Sequence, residues 1–158
     1  MNRGVLLYLG HGSGNFSLTA ARRALREGVK PSTISTDLHA LSFRGPVYDL
    51  ATTLSKLLAL GLTFEEVIER AAVNPAKALG LNNLGSLKPG CLGDVCILEI
   101  EEGEFAFKDS YEETITASKR LTPKAVVKEG DVHLAASWSQ VNWRTPKPVE
   151  PEQLDGLT

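Results

Sequence analysis

A chain of 158 residues with 42% hydrophobic content carries enough apolar side chain for one packed core or two small ones, which excludes a disordered composition. A formal net charge of -2 supplies no basic field, so nucleic acid is not the expected partner. Cys91 and Cys96 have no second pair and no nearby histidine, and no apolar run reaches the roughly 18 residues of a membrane span, so the expected setting is the reducing cytoplasm.

Taken in chain order, Gly4 leads into Val5, Leu6, Leu7, Tyr8 and Leu9, a continuous apolar run that predicts a strand buried on both faces. "GHGSGN" follows, then Ser17 as an N-cap, then a helix of about ten residues with Leu18, Ala21 and Leu25 on one face and Gly28 as its stop. Pro31 and Ser32 turn the chain into a second strand over 33–36. A second helix is predicted over 47–60, where Val47, Leu50, Ala51, Leu54, Leu57 and Leu58 recur at helical spacing before Gly61. Thr63 and Glu66 form a capping box, with Leu62 and Val67 set for a hydrophobic staple. Asn74 reads as the cap of another helix, with Pro75 at its first position and Gly80 just past its end.

From Leu84 the pattern changes to turn glycines between β-rich runs, which predicts antiparallel hairpins, one of them around Glu129 and Gly130. The segment "TPKPVEPEQLDGLT" reads as a loose tail, and Trp138 and Trp143 beside it would cover an apolar surface or contact another chain. Consecutive βα units imply a parallel sheet, whose ligands sit at the carboxyl ends of the strands, where His11 and Asp37 both fall.

Asp37 and His39 are two apart, so a chain that stayed extended past Thr36 would point them the same way, as a chelating or acid/base pair. Neutral imidazole and carboxylate are ordinary zinc ligands, but loop capping explains the same residues. The glycines of "GHGSGN" open onto a helix N-terminus that could cradle a phosphate, although the Lys-Ser/Thr ending of a P-loop is absent. His133 reads as a residue on a solvated strand face, and the two cysteines as small apolar groups flanking a turn.

"GHGSGNFS", "TISTDLHA", "NPAKALGL" and "LGSLKPGCLGDVCIL", in this order and spacing, closely resemble the carboxyl-terminal part of the amidohydrolase superfamily, specifically its dihydroorotase-like amidohydrolase/deacetylase metallohydrolases. The resemblance runs from about Gly4 to Val132. It implies an α/β plus β fold: residues 1–80 as the last two βα units, strands seven and eight, of a (β/α)8 (TIM) barrel, residues 81–135 as a partial small β-sandwich domain, and 136–158 as a loose tail. It implies hydrolysis of amide, cyclic amide or acetyl ester bonds in a small-molecule substrate, with zinc or another divalent metal as cofactor. On that pattern Asp37 is the metal ligand and catalytic general base, while His11 and His39 are substrate-pocket residues.

The same pattern takes its other ligands from an H-x-H after the first strand, a carboxylated lysine after the fourth and histidines after the fifth and sixth. This chain has no H-x-H and three histidines in all. Two βα units cannot close a barrel of about 250 residues, so the expectation is a segment inactive alone, requiring a missing N-terminal barrel portion as partner. Two alternatives remain open at this point: a non-catalytic binding or scaffold module that self-associates through an exposed sheet edge, and a minimal mononuclear hydrolase built from His11, Asp37 and His39.

Overall fold

The computed structural model describes residues 4–135. Strands β1 (Tyr8–Gly10) and β2 (Thr33–Ser35) pair in parallel, with Tyr8 opposite Thr33, Leu9 opposite Ile34 and Gly10 opposite Ser35. Helix α1 (Leu18–Arg26) connects them, and Ser17 caps it by accepting from the backbone N–H of Ala20. Its inward residues are the expected ones: Leu18 is buried, and Ala21 and Leu25 pack against the same core. Gly28 ends the segment with φ +78°, a left-handed conformation that suits a residue lacking Cβ.

Burial of β1 departs from the expectation. Val5, Leu6 and Tyr8 are each more than 60% exposed, and among the described residues β1 pairs with β2 alone. The apolar run therefore presents a face and an edge for which the described residues supply no cover, and an open groove of about 290 Å³ runs between β1 and α1.

Helix α2 (Leu50–Ala59) begins later than the periodicity predicts, because Asp49 accepts from the N–H of Thr52 and fixes the N-terminus there. Val47 is buried all the same, in the loop before the helix that contains the cis Gly45–Pro46 bond. Ala51, Thr53, Leu54, Ser55, Lys56 and Leu57 are all buried, since α2 lies between the parallel pair and a second sheet.

Helix α3 (Phe64–Ile68) opens with the full capping box of Thr63 and Glu66, over buried Leu62 and Val67. Asn74 does not cap a separate helix, although its sequence pattern predicts one. Instead α3 continues through a π-helical turn (Glu69–Val73) into α4 (Asn74–Ala78), and Asn74 has helical φ and ψ. The N–H of Asn74 bonds Glu69 O, five residues back. This wider turn lets Pro75, which has no N–H and a bulky ring, sit within a continuous helix. The Asn74 side chain donates to Ser32 O at 2.9 Å, tying the helix to the entry of β2.

The remaining elements are β3 (Val95–Lys108), β4 (Thr114–Lys128) and β5 (Asp131–Leu134), an antiparallel sheet in the order β3-β4-β5. The β4–β5 turn falls at Glu129 and Gly130, both with positive φ, where the glycine signal puts it. One core joins this sheet to the βα half: Leu121 of β4 packs with Phe16, Leu18, Ile34, Leu54 and Leu57. Its N–H also donates to Ser55 Oγ of α2 at 2.9 Å. His133 is exposed on β5, as a solvated strand face requires, and Cys91 and Cys96 are free thiols. Trp138, Trp143 and the 136–158 tail lie outside the described residues.

Candidate active site at the carboxyl ends of β1 and β2

The chain leaves β1 at Gly10 and β2 at Ser35 side by side, because parallel pairing brings both carboxyl ends to one place. The N–H of Gly12 donates to Thr36 O at 2.9 Å and joins the two loops directly. Asp37 follows with φ +50° and an exposed side chain. Asn15 Nδ2 donates to Asp37 Oδ2 at 3.2 Å. Gly12 has φ +54°, and a Cβ built on it would stand 2.6 Å from Asp37 Oδ2, so the carboxylate occupies the space that a side chain would need.

His39 is not brought to Asp37 as a parallel-pointing pair. The left-handed Asp37 ends the extended backbone, and His39 instead folds into its own turn, with Nδ1 accepting from Leu41 N–H and its N–H bonded to Ser42 Oγ. His11 is fully buried, stacked 4.6 Å from the Phe16 ring. Both ring nitrogens are engaged: Nδ1 with Gly12 O at 2.9 Å and Nε2 with Lys56 Nζ at 2.8 Å. An ammonium can only donate, so Nε2 accepts and the proton sits on Nδ1, donating to Gly12 O. Burial is the main force lowering the His11 pKa, and the adjacent Lys56 charge adds to it.

Lys56 is the functional candidate that the sequence does not announce. Its Nζ also donates to Pro46 O at 2.5 Å, and burial pushes its pKa down to about 8 against the pull of Asp109 and Asp49. The available signal is that Lys56 is the lone charge between Asp49 and Glu65 on an otherwise apolar and hydroxylated helix.

Asp109 is a second. Buried in the β3–β4 turn, its carboxylate accepts from the N–H groups of Leu18, Tyr111 and Glu113 at 2.8, 2.7 and 2.9 Å. Glu113 accepts from Thr19 N–H at 3.1 Å. The first three N–H groups of α1 are thus occupied by two of the chain's own carboxylates and the Ser17 hydroxyl, which takes away the phosphate cradle considered for "GHGSGN". The glycines serve the tight turn and the approach of Asp37.

Among the described residues no group of three or more His, Cys, Asp or Glu side chains could hold an ion. Asp37 offers a single carboxylate, both nitrogens of His11 are engaged, and Nδ1 of His39 accepts within its own turn. The minimal site of His11, Asp37 and His39 is therefore not assembled. These residues alone do not fit a resident metal. No helix among the described residues is long and apolar enough to cross a membrane.

The amidohydrolase family model matches residues 16–133. This chain belongs to the amidohydrolase family. A deacetylase of Enterococcus faecalis is 37% identical over 133 residues, covering 84% of this chain and 36% of the relative. A deacetylase of Brucella anthropi is 37% identical over 124 residues, covering 78% and 31% respectively. The crystal structure of an adenine deaminase superposes with a TM-score of 0.80 at 37% identity, over 84% of this chain and 36% of that one. That of a dihydroorotase gives 0.77 at 33% identity, over 84% and 35%. The chain spans about a third of the length of the relatives it matches. The resemblance read from the four motifs and the family found by comparison are the same.

Proposed function

We propose that this chain provides the carboxyl-terminal part of a hydrolase acting on amide, cyclic amide or acetyl ester bonds of a small molecule, with Asp37 as the carboxylate that takes a proton from the attacking water. The observation that carries the reading is the exposed Asp37 carboxylate at the carboxyl end of β2, held by Asn15 against a glycine backbone. The βαβα half is read as the closing units of a barrel and the antiparallel sheet as part of a small sandwich. The open edge and exposed apolar face of β1 support that reading, since a barrel strand has a neighbour on each side. Zinc or another divalent cation is the cofactor that family membership suggests, and Asp37 is the one residue here that would hold it.

The site is then completed by residues beyond those described, and the isolated chain is inactive. The test compares hydrolysis of amide and acetyl ester substrates, and metal per chain, for the isolated protein, the protein combined with an amidohydrolase amino-terminal portion, and Asp37→Ala in each. Activity and metal uptake that appear only on combination and vanish with Asp37→Ala support the reading. Undiminished activity in Asp37→Ala overturns it. The exposed Val5, Leu6 and Tyr8 also favour a second reading, a non-catalytic module that pairs with a copy of itself through β1. A stable dimer, lost on changing Leu6 to Lys and devoid of metal and activity under every condition, would select it.

A further inference from the structure

We propose that Lys56 is a positioning residue for Asp37, acting through His11 and the backbone of Gly12. The lysine is 1% exposed and stands beneath both loops of the site. One proton of its ammonium goes to His11 Nε2 in the loop after β1, and another to Pro46 O in the loop after β2. His11 passes the constraint on, because accepting at Nε2 commits its Nδ1 proton to Gly12 O. Gly12 in turn donates to Thr36 O, the residue before Asp37, and lies flat under the Asp37 carboxylate.

A methionine of similar length would fill the same space and supply no donor. His11 Nε2 and Pro46 O would be left buried without partners, and the imidazole would be free to change tautomer and release Gly12 O. From the other side the same loop is gripped by the β3–β4 turn, where Ser110 Oγ lies 3.4 Å from Gly12 O and Tyr111 Oη donates to Gly14 O at 3.0 Å. Those contacts hold the loop to the sheet. The Lys56 relay sets where its backbone meets Asp37.

The proposal rests on the catalytic reading of Asp37 for its consequence and on geometry for its substance, so the experiment separates the two. Nitrogen NMR of histidine-labelled protein should show His11 as the neutral Nδ1–H tautomer near neutral pH. In Lys56→Met that signature should be lost, the Asn15 side-chain amide and Asp37 carboxyl resonances should move, and Gly12 amide exchange should quicken about tenfold to a hundredfold, as for one lost charge-assisted hydrogen bond. Lys56→Arg, which keeps a charged donor, should restore most of each signal. Should Lys56→Met fail to fold, His11→Leu, which has neither donor nor acceptor, interrupts the same relay with the lysine in place. An Nε2–H tautomer in the unaltered protein, or unmoved Asn15 and Asp37 signals in a folded Lys56→Met or His11→Leu variant, overturns the proposal. Asp37→Ala that leaves hydrolysis intact while these couplings persist would sink only the catalytic reading.

Discussion

Replacing Gly12 by alanine tests the closest approach in the site. The backbone term comes first: φ +54° places a Cβ in the left-handed region at a cost of about 1–2 kcal/mol. The contact term follows, because the new Cβ would meet Asp37 Oδ2 at 2.6 Å and Asn15 Nδ2 at 2.9 Å, against about 3.4 Å for ordinary contact. The carboxylate must retreat by about 0.8 Å, the difference between those separations, and its 3.2 Å bond from Asn15 cannot survive such a shift unchanged. On the catalytic role proposed for Asp37, misplacement on that scale costs up to about a hundredfold in rate. Gly28→Ala is the matched control, since Gly28 has φ +78° and nothing within 4 Å of an added Cβ. Urea denaturation should give both variants the backbone loss, while hydrolysis by the completed enzyme should fall about a hundredfold for Gly12→Ala and hardly at all for Gly28→Ala. Equal stability and equal activity in the two variants would refute the claim that Gly12 exists to admit the Asp37 carboxylate.

Other expectations follow from the buried groups. Lys56 titrates near 8 in the folded chain against 10.5 unfolded, so between those values the unfolded chain holds more protons and unfolding free energy rises with pH. Lys56→Met should remove that rise, read as the difference between the two proteins in denaturant titrations at about pH 7 and about pH 10. Asp109→Ala strips the acceptor from three backbone N–H groups, including the first of α1, and should cost about 2–4 kcal/mol of unfolding free energy. Gly85→Ala would drive a Cβ to 2.6 Å from Ala72 O in the π-helical turn and should lose about 2–4 kcal/mol by the same denaturation measurement, against a much smaller loss for Gly90→Ala, which has open space.

How far each feature was legible depended on whether its cause is local. The caps at Ser17 and Thr63, the stop at Gly28 and the Glu129–Gly130 turn rest on neighbours three or four residues away, so the residue order shows them. Asp37 was legible as a strand-end carboxylate because strand order alone determines which ends share a face. Lys56 was not, since its burial depends on His11, 45 residues distant, and on a carbonyl that any residue could supply. Asn74 and Pro75 misled because the cap-and-proline pattern is also satisfied by a π-helical turn, with the asparagine turned toward Ser32. The letters of β1 predict burial on both faces, for an apolar strand reads the same whether or not its cover is present, and its exposed edge follows only from two βα units being too few to close a barrel.

The bond from Leu121 N–H to Ser55 Oγ, with the shared core around it, bears on how this chain would come apart. A protease cut in the connection between α4 and β3 would sever the covalent link without freeing either piece, because α2 remains clasped to β4 and Asp109 to the start of α1. The nicked chain should migrate as one particle under native conditions and as two fragments once denatured. Loss of either fragment would bare the same layer of leucines on the other, so the two halves melt together.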